Sequence, residues 1–150
     1  MLLTMNEEKH IILVNFDFPP NEGIGGRRWA KFARYLADQG VKVHVIKAKE
    51  LPNRPPSVWS KDVKHENIAI TSLSRPLPQY FTHPGKNIWD KIRFHLYKRT
   101  LRKRSLGTIY DQAIDWEAPL HSALEKLVKT HPVSTIIASG APFNLLYYTA

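Results

Sequence analysis

Between His10 and Gln39 a strand, a glycine-bearing loop and an amphipathic helix follow one another without a break, and this stretch limits the chain to few folds. His10-Ile-Ile-Leu-Val-Asn-Phe16 is a short apolar run of the kind that forms a strand buried on both faces. Asp17-Phe-Pro-Pro-Asn-Glu-Gly-Ile-Gly-Gly26 cannot extend it, because Pro19 and Pro20 lack backbone donors and Gly23, Gly25 and Gly26 permit positive φ. Helical spacing then begins at once. Trp29, Phe32, Ala33 and Leu36 fall at i, i+3, i+4 and i+7, opposite Lys31, Arg34 and Asp38. Gly40 occupies the position of a C′ glycine. Val41, Val43 and Val45 alternate with Lys42 and His44, which predicts a second strand. Strand, helix, strand implies a parallel pair joined by a right-handed crossover. It also places the glycine loop at the C-terminal end of the first strand, where open α/β sheets bind ligands.

The remaining elements extend this pattern. Residues 41–48 form the second strand. Pro52, Pro55 and Pro56 make 49–60 a loop, and 67–73, with Ile68 and Ile70, is a third strand. Pro76, Pro78, Pro84 and Gly85 keep 74–85 irregular. Residues 86–106 predict a helix whose core stripe is Ile88, Ile92 and Leu96, with Trp89 beside it and Gly107 to end it. Asp115 is the expected N-cap of the next helix, whose face is Leu120, Ala123, Leu124, Leu127 and Val128 and whose stop is His131-Pro132. Residues 133–139 form another strand, Gly140-Ala-Pro142 a second strand-end loop, and 143–150 the start of a helix without a stop signal. The expected architecture is a three-layer, Rossmann-like α/β domain with a mostly parallel sheet. It is expected to be one part of a longer, truncated protein.

A length of 150 residues suits one domain with a real core. The absence of cysteine excludes disulfide frameworks, thiolate nucleophiles and Cys-based zinc sites. Residues 1–10 have neither a basic leader nor an apolar core, and no apolar run approaches the roughly 20 residues of a membrane span. A cytoplasmic protein is expected, with the inner membrane surface as a possible place of peripheral attachment. Twenty-two basic residues against thirteen acidic ones leave a net charge of +9, which favours anionic partners such as phosphates or acidic lipid.

Few residues carry chemistry. Gly25-Gly26-Arg27-Arg28 at a helix start offers uncovered amides, a favourable helix dipole and two cations, all suited to a phosphate. A turn that needs glycine for its geometry satisfies the same residues. A dinucleotide G-x-G-x-x-G from Gly23 would need glycine where Arg28 stands, and no Gly-Lys-Ser/Thr follows for a Walker loop. Of seven histidines, none lies four residues from another, so no metal site is expected. His44 is read as lying on a strand face, and His83 lies in the irregular segment. No G-x-S-x-G elbow is present. Lys91, Arg93, Lys98, Arg99, Arg102, Lys103 and Arg104, with Trp89, suit an anionic membrane surface, and equally a solvated basic helix over a sheet edge. No RNA-binding or zinc-finger pattern supports nucleic acid as a partner.

Phe18-Pro-Pro20, Gly23-Ile-Gly-Gly-Arg-Arg-Trp-Ala-Lys-Phe32 and Gly40-Val-Lys-Val43 resemble the start of family 4 glycosyltransferases of the GT-B fold. Asp115-Trp116 with Pro119, and Ile136-Ile-Ala-Ser-Gly-Ala-Pro-Phe143, are similar to the same N-terminal domain, whereas 50–110 matches it poorly. The resemblance implies an acceptor-side domain facing an absent C-terminal nucleotide-binding domain, with no cofactor beyond a nucleotide-sugar donor and with a saccharide or lipid-linked acceptor. It implies that Gly25 and Gly26 approach the donor diphosphate, and that Arg27 or Arg28 helps to neutralise it. Asp17 would touch an acceptor hydroxyl or satisfy loop amides. Ser139 and Gly140 would wall the cleft or merely form a turn. No catalytic residue is nominated, and the domain alone is expected to be inactive. The reading from a different class is a stand-alone polyanion- or membrane-binding α/β module.

Overall fold

The computed structural model describes residues 8–21, 24–50, 57–75, 87–104, 112–140 and 142–150. Gly23, Pro52, Pro55, Pro56, the segment 76–86 with His83, Gly107 and Ala141 lie outside the described residues, and so do the side chains of Arg102 and Arg104.

Among the described residues four strands form one all-parallel sheet: β1 (His10–Val14), β2 (Lys42–Ala48), β3 (Ile68–Leu73) and β4 (Val133–Ala138). Their order is β3-β2-β1-β4, so chain order reverses direction between β1 and β4. The helices are α1 (Ile24–Asp38), α2 (Ile88–Arg104), α3 (Glu117–Thr130) and the short α4 (Asn144–Tyr148), with a 3-10 turn at Val58–Lys61. The expected α/β class and parallel sheet are what the chain adopts.

Two apolar cores flank the sheet, which makes three layers. Ile11, Leu13, Val43 and Val45 face α1, where they meet Ala30, Ala33 and Ala37. Ile12, Val14, Phe16, Ile46 and Ala48 face the other way, towards Ala113, Trp116, Leu120 and Leu145. The central strands are therefore buried on both sides, as their unbroken apolar character requires. β3 and β4 are the edges, and most of their residues are exposed.

Three expectations change. The seam of α1 is made of its small residues, Gly26, Ala30, Ala33 and Ala37. Trp29 and Leu36 flank this seam, and Phe32 is exposed, edge-on to Trp29 at 5.5 Å. Small side chains let the helix axis approach the sheet, and the large ones spread to its sides. In α2, Ile88, Trp89, Ile92 and Leu96 are exposed rather than core; the half-buried residues are Phe94 and Tyr97, which group with Ile114. In α3 the capping residue is Trp116, without a side-chain cap bond, in place of Asp115. Trp116 is fully buried, meets Phe16 edge-on at 5.0 Å and donates its indole N–H to the Ser74 carbonyl at 3.0 Å. Among the described residues no helix is long and apolar enough to cross a membrane.

Candidate functional site at the C-terminal rim of the sheet

The C-terminal rim of the sheet, where a ligand is expected, has a defined register. Val14 pairs with Ile46 on one side and with Ala138 on the other, so the next residues along, Lys47, Asn15 and Ser139, stand level across three adjacent strands. The Asn15 amide donates to Ile46 O and the Ser139 amide to Val14 O, both at 3.0 Å. Strand alternation sends Ile12, Val14 and Phe16 to the α3 side, and therefore Asn15 to the α1 side. The same alternation sends Lys47, after Val43 and Val45, and Ser139, after Ile137, to that side. The result is a row of three buried polar residues on the face that α1 covers, with adjacent strands about 4.8 Å apart. Their exposures are 2 % for Lys47, 5 % for Asn15 and 9 % for Ser139.

Buried polar atoms normally find partners. Lys47 finds one, because its Nζ donates to the Glu50 carboxylate. That hydrogen bond is the main reason that the Glu50 carboxyl stays below the usual carboxylate range. Ser139 has only a marginal contact, from its hydroxyl to Gly140 O at 3.5 Å. Asn15 Oδ1 is buried without any hydrogen-bond partner. An orphaned acceptor at the point where strand order reverses sits where α/β sheets take ligands. Neither Asn15 nor Lys47 stood out in the sequence, because only the register reveals that they align.

The loop above this row is tied down at several points. The Ser57 amide donates to Pro20 O at 3.0 Å, and Asn21 Nδ2 donates to Ala48 O at 3.3 Å. Gly25 and Gly26 differ. Both lie in the first turn of α1, and among the described glycines positive φ occurs at Gly40, φ 81°, and not at these two. A side chain on Gly26 would begin 2.1 Å from the Asp17 carbonyl oxygen, so this glycine exists to let loop and helix touch. A side chain on Gly25 would meet nothing within 4 Å, and the residue is exposed. The space beside it, where a side chain would stand, is open.

The other expected residues fall as follows. The Arg27 guanidinium stacks over the Trp59 ring at 3.8 Å. Arg28 is exposed, half a turn from the buried seam, and has no ion-pair partner among the described residues. Asp17 receives Arg75 Nη2 at 3.4 Å. Arg75 itself donates to Lys49 O at 2.7 Å and covers the Phe16 ring at 4.9 Å, so it straps the ends of β1, β2 and β3 together. Asp17 is thus held by a cation more than by loop amides. Gly140 is exposed, with Phe143 and Leu146 in ordinary contact range of where its side chain would be. The structure therefore brings Ser139 and Gly140 to the same rim as Asp17 and Gly25.

At the opposite end of the strands, sequence spacing misses a second cluster. His10, His44 and His131 converge there, although they are distant in the chain.

Comparison with protein-family models and with curated proteins gives no match.

Proposed function

We propose that this chain is the acceptor-side wall of a sugar-transferring enzyme that uses a nucleotide-activated donor. The observation that supports this most is the buried row Lys47–Asn15–Ser139 beneath the open start of α1. Asn15 Oδ1 lacks a donor, and a sugar hydroxyl reaching it from the rim would supply one. The start of α1, with Gly25 exposed, favours a diphosphate by its dipole and by the first-turn N–H groups that a helix leaves without intrahelical partners. Arg28 adds a cation whose charge no acid of the described residues neutralises. A leaving nucleoside diphosphate gains charge as the glycosidic bond breaks, so such a setting lowers the barrier. In this reading Gly26 positions the loop, and Asp17, strapped by Arg75, shapes the rim without acting as a free base.

The residues that complete the cleft and hold the nucleotide belong to a second domain. The test is transfer from nucleotide-sugar donors by the full-length gene product, with and without Gly25→Val. The substitution puts a branched side chain into the open approach and is expected to abolish transfer while the fold persists. Undiminished transfer in that variant, or robust turnover by the 150-residue chain alone, would sink the proposal.

One observation favours the membrane-surface reading as a companion activity. Ile88, Trp89, Ile92 and Leu96 stand exposed on one side of α2, and Lys91, Arg93, Arg99 and Lys103 are exposed around them. An apolar strip within a basic surround suits an acidic lipid interface.

A further inference from the structure

We propose that His10, His44 and His131 form a binding site for one divalent transition-metal ion, with Zn²⁺ the best fit, at the N-terminal end of the sheet. This site is separate from the rim described above and does not depend on the sugar-transfer reading.

Three elements supply the ligands: His10 opens β1, His44 lies in β2, and His131 follows the last turn of α3. One ring nitrogen from each can be chosen so that all three lie within 4.8 Å of one another. His10 Nδ1 and His44 Nε2 are already 3.0 Å apart. Bonds of about 2.0–2.1 Å to a tetrahedral zinc place neighbouring nitrogens roughly 3.3–3.4 Å apart. Binding would replace the His10–His44 hydrogen bond: those two nitrogens turn from each other toward the ion and part by roughly 0.3–0.4 Å, and the His131 ring turns to join them. That residue is half-buried at a helix end, so its ring is the freest of the three to turn.

The chemistry favours a metal over a bare stack. His10 and His44 are buried, and the rings lie nearly parallel, with centroids at 5.3, 5.0 and 4.4 Å. Among the described residues the rings of the trio share one hydrogen bond, between His10 and His44, and the ring nitrogens of His131 make none. Neutral imidazole is the ligating form. Imidazole nitrogens suit zinc, copper and nickel, whereas an all-oxygen site would suit magnesium or calcium.

The surroundings of His10 agree. With Nδ1 directed at the trio, Nε2 lies 3.7 Å from the Glu8 carboxylate, which also approaches Lys42 at 3.9 Å. A metal-bound histidine typically presents its other N–H to a carboxylate, which fixes its tautomer. Three protein nitrogens leave the fourth position to water. The ion would clamp β1, β2 and the α3–β4 junction.

The experiment is calorimetric titration of the chelator-stripped chain with Zn²⁺, with Co²⁺ absorption as a report on geometry. The expected result is one equivalent bound, a raised melting temperature and the visible band of four-coordinate Co²⁺. His131→Gln and His44→Gln are each expected to weaken binding by more than the roughly 10–100-fold that loss of an outer-shell partner costs. His95→Gln, on exposed α2, is the control and leaves binding unchanged. If His44→Gln does not fold, His131→Gln and the Co²⁺ spectrum of the native chain carry the test. No stoichiometric binding, wild-type affinity in His131→Gln, or loss in His95→Gln instead would each overturn the proposal.

Discussion

Gly25 and Gly26 are chemically identical neighbours, yet their surroundings give them opposite tasks. An alanine Cβ at 26 would lie 2.1 Å from the Asp17 carbonyl oxygen, a rigid backbone atom that cannot swing away as a flexible side chain would. Gly26→Ala is expected to destabilise by about 1–3 kcal/mol, the usual cost of overpacking. Gly25→Ala meets open space in a helical turn and is expected to be neutral or to stabilise by up to about 1 kcal/mol. Urea unfolding of both variants checks the pair; equal effects would refute the distinction. His44 supports a second prediction at this scale, for the metal-free chain. Its folded-state pKa lies below 6.5, chiefly through burial, then through His131 and His10. The unfolded chain therefore binds the extra proton first, and stability falls as pH drops through that ordinary value, then levels off below the folded pKa. Unfolding midpoints in chelator at pH about 7.5 and 5.5 are expected to differ by less in His44→Gln than in the native chain. Glu8 and Lys42 also face this cluster, so the comparison with the variant isolates His44. Neither the glycine distinction nor the histidine trio is readable from spacing. The first depends on where the Asp17 carbonyl lands, and the second joins residues 10, 44 and 131, which meet only through strand pairing and the end of α3.

The secondary-structure elements themselves were far more legible. The strands expected at 41–48, 67–73 and 133–139 form within about one residue of those bounds, because apolar runs between turn residues are local signals. Which face of a helix is buried is a tertiary outcome, and there the pattern misleads. In α1 the conspicuous Trp29 and Phe32 suggest the seam, but contact with a sheet rewards the alanines that allow close approach. In α2 the stripe Ile88–Ile92–Leu96 suggests a core, yet the side turned inward carries Phe94 and Tyr97. That leaves an exposed apolar strip followed along the same side by Arg99 and Lys103. If this surface meets acidic lipid, the native chain is expected to co-sediment with acidic vesicles and not with neutral ones. Charge reversal in Arg99→Glu together with Lys103→Glu is expected to remove at least about 2 kcal/mol, near 30-fold in partitioning, at about 1 kcal/mol per cation. Equal sedimentation with both vesicle types, or none at physiological salt, would remove the membrane-surface reading.

At the scale of the whole molecule, the two clusters occupy opposite ends of the same strands. From His10 to Asn15 the chain rises about 17 Å, at roughly 3.3 Å per residue, and the apolar cores lie between. Sites that far apart without shared partners perturb stability almost independently. The polar row and the histidine cluster can therefore be separated by a double-mutant cycle. Lys47→Met removes a buried cation, replaces it with an apolar chain of similar reach and leaves Glu50, partly exposed, to water. Its stability cost is expected to be small, about 0–1 kcal/mol, because apolar replacement of a buried charge often breaks even. His131→Gln is expected to remove the stabilisation by Zn²⁺ and to leave the metal-free fold in place. Combined, the two changes are expected to add within about 0.5 kcal/mol in urea unfolding, with and without zinc. In spectra of the labelled chain, Lys47→Met is expected to move the amides of Asn15, Gly25 and Ser139, whereas zinc moves those of His10, His44 and His131. A coupling energy well above that limit, or zinc-dependent shifts at Gly25, would mean that the sheet transmits one end to the other. The rim and the histidine cluster would then have to be treated as parts of a single device.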